Sequence, residues 1–200
     1  MTQEQIKEAV KRFKEGQVII FPTETVMGIG CAITSAEGIR RVYALKGRPQ
    51  NQPTHVLVSN VVMAGKLGYI NNPKALDLIH NFWPGPLTLV VGAHAKWAPR
   101  EILNEDRNIG IRMPAHKDLL EIIEQLGVGV LGPSANLAGE EPPIKVSQID
   151  KTLKGRVDYV IEQNALGSMP STIVEVSRYN WRILRSGPIS ETAIRKALEE

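Results

Sequence analysis

The side chains in this sequence that could act on a ligand are cations and small hydroxyls, set beside glycine and proline where strands should end. The run Phe21-Pro-Thr-Glu-Thr-Val-Met-Gly-Ile-Gly30 places Thr23 and Thr25 between a proline and two glycines. Such a turn presents hydroxyls and bare backbone to a polar ligand, and it equally suits an ordinary Ser/Thr turn. Lys46-Gly-Arg48-Pro brings two cations together at an expected helix end. They would neutralise phosphate as a point charge and a bidentate fork, or simply complement the helix macrodipole. Arg112 stands inside the apolar run Gly110-Ile-Arg-Met-Pro114. A buried arginine needs an anion, because uncompensated desolvation costs several kcal/mol, and that anion is either a structural carboxylate or one on the substrate. Ser134 and Asn136 in Pro-Ser-Ala-Asn, Ser171 in Ser-Thr-Ile-Val, and Arg185 just before Gly187 complete the set. Cations and hydroxyls thus gather at several expected strand ends, with no acid pair and no metal set. In open α/β sheets, ligands commonly sit beyond strand ends.

Other motifs fail on context. Gly127-Val-Gly-Val-Leu-Gly132 matches G-x-G-x-x-G by letter, yet it follows an expected helix and occupies an expected strand, the reverse of a dinucleotide fingerprint. No Walker loop occurs, so a nucleoside triphosphate is not held that way. His55, His80, His94 and His116 are too dispersed in sequence for a local metal motif. Ser134 lacks the second glycine of a nucleophile elbow.

The elements that must position these residues follow from periodicity. Ile6, Val10 and Phe13 mark an amphipathic helix over Gln3 to Glu15 with Gly16 as its cap, and Gln17 to Phe21 reads as a buried strand stopped by Pro22. Thr34 to Glu37 has capping-box spacing ahead of a helical face, Ile39, Val42 and Leu45, that delivers Lys46 and Arg48 to a loop. Strands are expected at His55 to Val58, Leu87 to Val91, Asn108 to Met113, Val128 to Leu131, Val157 to Ile161, Thr172 to Val176 and Arg182 to Leu184. Helices are expected after Asn72-Pro73, broken sharply by Trp83-Pro-Gly-Pro86, from Lys117 to Leu126, and after Ser190. The alternation predicts an α/β fold with an open, twisted, mixed β-sheet and flanking helices, built as one domain over residues 1–200. A net charge of +3 suits an anionic small molecule or weak contact with RNA. A single cysteine, Cys31, excludes a disulfide framework, and no segment reads as a signal peptide or membrane span, so a cytoplasmic location without membrane association is expected.

Taken in order, Phe21 to Gly30, Lys46-Gly-Arg-Pro with Pro53, Trp83-Pro-Gly-Pro-Leu-Thr88, Gly110 to Pro114, Ser134-Ala-Asn136, Ser171 to Val174 and Leu184-Arg-x-Gly187 resemble the YrdC/TsaC family of threonylcarbamoyl-AMP synthases. The resemblance covers roughly residues 5 to 190. It implies a large, positively charged concave cavity in the sheet. It also implies a reaction of L-threonine, bicarbonate or carbon dioxide, and ATP carried with Mg²⁺, giving threonylcarbamoyl-AMP and pyrophosphate with no tightly bound cofactor and no protein-bound metal. Partner proteins would then use the product to modify adenosine 37 of transfer RNAs reading codons that begin with A, with weak contact to the tRNA itself allowed. By that resemblance Thr23, Thr25, Arg112 and Ser171 would face threonine. Lys46, Arg48, Gln52, Ser134, Asn136 and Arg185 would face ATP, with Lys46 and Arg48 as the catalytic cations. Two positions depart from the family pattern. Met27 replaces an aromatic residue, and Leu57 replaces a histidine, with His55 two positions earlier on the same strand face.

Two rivals remain at this point. One is a noncatalytic RNA-binding module, disfavoured by few aromatic residues and no RNP-type motif. The other is a relative handling carbamoyl-adenylate, whose additional zinc-finger and acylphosphatase modules this chain does not accommodate.

Overall fold

A computed structural model describes residues 1–47, 54–177 and 180–198 of the chain, so Arg48, Gln52 and Pro53 lie outside the described residues. The helices are α1 (Gln3–Lys14), α2 (Ala36–Lys46), α3 (Val61–Leu67), α4 (Pro73–Phe82), α5 (Lys117–Leu126), α6 (Lys151–Arg156) and α7 (Glu191–Ala197). The strands are β1 (Ile19–Phe21), β2 (Gly28–Gly30), β3 (His55–Leu57), β4 (Leu87–Gly92), β5 (Asn108–Arg112), β6 (Val130–Leu131), β7 (Tyr159–Val160), β8 (Thr172–Val176) and β9 (Trp181–Arg185).

They form two ladders, β2-β1-β7 and β6-β3-β5-β4-β8-β9. The β1/β7, β3/β5 and β4/β8 pairs are parallel and the others antiparallel, so the sheet is mixed as expected. A seam joins the ladders: residues 27–33 exchange backbone hydrogen bonds with residues 129–135, from Ile33 N–H to Gly129 O (3.0 Å) through to Ala135 N–H to Met27 O (2.8 Å). Gly30 makes the seam possible. A Cβ there would lie 1.6 Å from the carbonyl oxygen of Leu131.

Alternation assigns the two faces of the long ladder. Leu87, Leu89 and Val91 of β4, Ile109 and Ile111 of β5, and Val174 and Val176 of β8 enter one core cluster with Ile39, Leu67, Leu78 and Ile194 from the helices. Burying each such side chain contributes roughly 1.5–3 kcal/mol. A second cluster packs α1 and α5 against β1, β3 and β6, through Ile6, Phe13, Leu119 and Ile123 on Phe21, Leu57 and Val130. Phe13 and Phe21 meet edge to face with centroids 6.0 Å apart. The turn after α4 hooks neighbouring strands: Gly85 N–H donates to Met113 O, Trp83 Nε1–H to Leu87 O, and Pro86 O accepts from Thr172 N–H.

Several local expectations change. The second cap sits at Ser35, whose hydroxyl accepts from Gly38 N–H at 3.0 Å, rather than in a Thr34–Glu37 box. Residues 28–30 form a strand instead of belonging to a turn, because pairing with β1 satisfies their backbone. α3 and α6 carry too short an apolar stripe to stand out by periodicity. The strands expected at 128–131 and 157–161 shrink to two residues each. No helix among the described residues is long and apolar enough to cross a membrane.

Replacing Gly30 with alanine should destabilise the protein by about 3 kcal/mol or more, because the new methyl must push the seam apart. Gly155→Ala in α6, where a Cβ meets nothing within 4 Å, should instead stabilise by about 0.5 kcal/mol. Urea unfolding of the two variants checks both signs.

Candidate functional site

The face of the long ladder opposite the larger core carries a cleft. Two adjoining concavities, of about 290 and 690 Å³, share His55, Ser134 and Arg185 as lining. The smaller is also lined by Thr23, Thr25, Arg112 and Ser171, and the larger by Thr88, Val90, Asn108 and Gly110. The smaller concavity sits at strand ends, with Thr23 and Thr25 after β1, Arg112 closing β5, Ser171 before β8 and Arg185 closing β9, and the larger one continues from it across the sheet. The physical reason is the pleat, which turns Thr88 and Val90 away from the face that buries Leu87, Leu89 and Val91. Small residues keep the floor low. A Cβ at Gly110 would sit 3.1 Å from His55 Cβ, and one at Gly132 would sit 2.6 Å from Leu57.

At the smaller end the hydrogen bonds fix proton positions. Thr23 Oγ1–H donates to Val26 O at 2.7 Å, since a carbonyl can only accept. The 2.8 Å contact between the two hydroxyls therefore has Thr25 as donor, and Thr25 Oγ1 in turn accepts from Arg112 Nη1 at 2.8 Å. With its proton committed, Thr25 faces the pocket as an acceptor. It suits a ligand's amine or hydroxyl hydrogen, while Arg112 suits a carboxylate.

The anion that Arg112 requires is Glu24, a residue the sequence reading passed over within the Pro-Thr-Glu-Thr run. Its Oε1 lies 3.2 Å from Arg112 Nη1, with the two side chains 10% and 3% exposed. Burial lowers Arg112's pKa and Glu24's charge opposes that shift; burial raises Glu24's pKa and Arg112's charge opposes it. Glu24 lines neither concavity, and no carboxylate does. A cue was present in the sequence: an arginine in an apolar strand needs an acid, and Glu24 stands between two of the hydroxyls already singled out.

At the far wall Arg185 donates from Nε and Nη2 to Ser171 O (3.0 and 2.9 Å) and from Nη2 to Ser171 Oγ (3.1 Å). Ser171 Oγ also meets Thr88 Oγ1 at 2.8 Å, a second contact that sequence reasoning did not assign to the site. Close packing at Gly187, where a Cβ would fall 2.4 Å from Thr172 N, holds the chain after β9 against this corner.

Lys46 and Asn136 stand differently from Arg112 and Arg185. The Lys46 ammonium donates to the carbonyls of Ser134 and Asn136, the latter at 2.6 Å, and approaches Asn136 Oδ1 at 3.4 Å. Asn136 Nδ2 donates to the carbonyls of Leu137 and Glu140. Neither residue lines the two concavities; both brace the loop that carries Ser134 into them. Met27 lines the smaller concavity, whereas Leu57 is buried in the second core cluster, so of the strand pair it is His55 that reaches the cleft. A third, separate concavity near Lys66, Lys96 and Trp97, about 980 Å³, is lined by none of the expected site residues.

A family model described as telomere recombination, that of Sua5, YciO and YrdC, matches residues 11–187. The chain belongs to the Sua5/YciO/YrdC family. It is 30% identical over 191 residues to the threonylcarbamoyl-AMP synthase of Bacillus subtilis, covering 95% of this chain and 55% of that protein. Against a putative threonylcarbamoyl-AMP synthase of Mycobacterium tuberculosis the identity is 31%, over 96% of this chain and 88% of the relative. The crystal structure of Pyrococcus abyssi Sua5 complexed with L-threonine superposes with a TM-score of 0.91 at 28% identity, covering 99% of this chain and 58% of that one. The chain thus spans little more than half the length of the Bacillus and Pyrococcus proteins.

Cys31 takes no part in this chemistry. Burial pushes its thiol up to about 12, so the thiolate nucleophile is scarce at neutral pH. Iodoacetamide at pH 8 should leave the native protein unlabelled and modify one site after unfolding in urea, as read by intact-mass spectrometry.

Proposed function

We propose that this chain seats L-threonine beside ATP and forms threonylcarbamoyl-AMP. The observation that carries the reading is the smaller concavity, where two arginines and four hydroxyl side chains from five separate chain segments meet with no carboxylate in the lining. That set matches an amino acid's carboxylate and amine, and the resemblance to a Sua5 bound to L-threonine supports the same assignment. Arg112 would hold the carboxylate, Thr25 would accept from the amine, and Thr23 would fix Thr25's proton.

In the reaction, the amine of threonine captures carbon dioxide, derived from bicarbonate, and loses a proton to give a carbamate. A carbamate oxygen then attacks the α-phosphorus of ATP in line and expels pyrophosphate, with Mg²⁺ travelling on the nucleotide as part of the substrate. Two anions must be held together, and the chain's contribution is proximity and preorganised positive charge rather than a nucleophile. Arg185 and Ser134, where the two concavities join, would face the phosphates with Arg48, while Gln52 would lie near the nucleotide. Lys46 would act there by placing its charge beneath the Ser134–Asn136 loop and fixing that loop's carbonyls. The unstable product would pass in the cytoplasm to proteins that modify adenosine 37 of tRNAs reading codons beginning with A.

Incubation with ATP, Mg²⁺ and bicarbonate should release pyrophosphate only when L-threonine is added, with the adenylate detected by mass. Arg112→Met should raise the KM for threonine about 10- to 100-fold, the range for losing a charge-assisted hydrogen bond, and leave that for ATP near its original value. Threonine-independent pyrophosphate release, or an unchanged threonine KM in Arg112→Met, would overturn the reading.

A further inference from the structure

Glu24 and Arg112 form an ion pair without a hydrogen-bonded lock. The 3.2 Å approach of Oε1 to Nη1 does not have hydrogen-bond geometry, Nη1 donates instead to Thr25 Oγ1, and neither Glu24 oxygen nor Arg112 Nε has a hydrogen-bond partner. Glu24 does not line the pocket, whereas Thr25 and Arg112 do, and its Oε1 approaches the same Nη1 that donates to Thr25. A carboxylate entering beside Thr25 would therefore make a second anion on a single buried cation. Two carboxylates crowded into one desolvated site do not both stay ionised, and the weaker acid takes a proton. Between the α-carboxylate of an amino acid and a buried glutamate, the glutamate is the weaker acid.

From this geometry we infer that Glu24 is a counter-ion that surrenders Arg112 to the incoming carboxylate by accepting one proton from solvent, so that ligand binding and protonation of Glu24 are one event. The inference rests on the proposed binding of threonine's carboxylate by Arg112. The balance is simple: the ion pair, a ligand carboxylate and one proton become a ligand carboxylate paired with Arg112 and a neutral Glu24, with no covalent bond made or broken. Among the described residues, His55 of β3 lines the same concavity and is the other group there able to take a proton, so Glu24→Gln is what separates the two. β5 contributes Arg112, the charged group acting on Glu24; the segment after it contributes backbone at Ala115; residues 166–167 contribute backbone near Thr23 and Glu24. His116, on the segment after β5, has its Nδ1 engaged by Leu119 N–H. Burial, the largest influence, favours the protonated form of Glu24, the direction the exchange needs, against Arg112's charge and the backbone of Glu24 and Ala115, which favour the ionised form. Glu24 is thus a positioning residue, acting on the ligand through Arg112.

Calorimetric titration of the whole chain with L-threonine, glycine and acetate, each in phosphate and in Tris between pH 6 and 8, separates proton uptake from intrinsic heat. For L-threonine we expect uptake approaching one proton and affinity that falls by up to about tenfold per pH unit in the alkaline limb. Glu24→Gln, neutral and of the same shape, should bind with no uptake and a flat profile. Threonine binding without proton uptake in the wild type overturns the inference and leaves the proposed function standing. Uptake that persists in Glu24→Gln, or loss of binding in that variant, overturns it too. Uptake with another carboxylate, while threonine does not bind, upholds the inference and overturns the function. If no carboxylate binds, both fall, and if Glu24→Gln does not fold, the two-buffer result on the wild type decides alone.

Discussion

A guanidinium kept out of water at the end of β5 is the constraint around which the site is arranged. Arg112 is buried to 2% exposure, and a charge so placed must be answered within the protein or by what the protein binds. The answer here is divided. Glu24 neutralises it from behind at 3.2 Å, and Thr25 takes one N–H from the pocket side. Neither contact saturates the fork, since Nε is left without a hydrogen-bond partner. A structural arginine would normally be fully bonded, because an unmade hydrogen bond in a low-dielectric interior costs more than the pair contributes. Arg112 therefore keeps unspent donor capacity beside the pocket that it lines.

The sheet supplies rigidity and space by the same means. β5 lies between β3 and β4, and Arg112 pairs with Leu57 of β3 while the residues before it, Asn108 to Ile111, pair with β4. The seam between residues 27–33 and 129–135 then brings the Thr23–Thr25 turn and the Ser134 loop to the same end of the cleft, although they are separated by more than a hundred positions in sequence. Glycines at 30, 110 and 132 let backbone approach backbone or keep the floor low, and each would collide with a neighbour if it carried a Cβ. Room for a ligand is therefore a property of where side chains are missing as much as of which ones are present.

How much of this was legible in the sequence follows from which interactions are local. Helix α1, the break at Trp83-Pro84, the central strands and the cap at Ser190 all follow from short-range patterns, and the structure places them within a residue or two. The hydroxyls and arginines were found because polar groups in apolar runs stand out. The extension of the cleft across the sheet was not legible, since it depends on which face of the sheet the helices leave bare, and that is decided by packing between distant segments. β2 was read as part of a turn for the same reason: three residues, two of them glycine, have no strand signature until β1 and the seam pair with them. The Lys46-Gly-Arg-Pro motif suits phosphate or the helix macrodipole in the sequence, and the burial of Lys46 between carbonyls of the 134–136 loop is a tertiary fact that no local pattern carries.

The two departures from the family pattern separate once the structure is considered. Met27 belongs to the seam, its N–H bonded to Pro143 O and its carbonyl to Ala135 N–H, and it also lines the smaller concavity. A flexible thioether fills irregular space with less directional demand than an aromatic ring with a polar tip. Leu57 lies beneath Gly132 in the cluster formed with α1 and α5, where it adds apolar burial and offers no polar atom to the cleft. Strand alternation would put residues 55 and 57 on one face, and a strand interrupted by packing under a glycine loop does not present both equally. Polarity at this edge of the cleft has therefore moved one strand repeat toward the larger concavity, to His55, at the junction that it shares with Ser134 and Arg185. Arg112 and Thr25 are untouched by that shift, so the change bears on the junction of the two concavities rather than on the corner where these two residues meet.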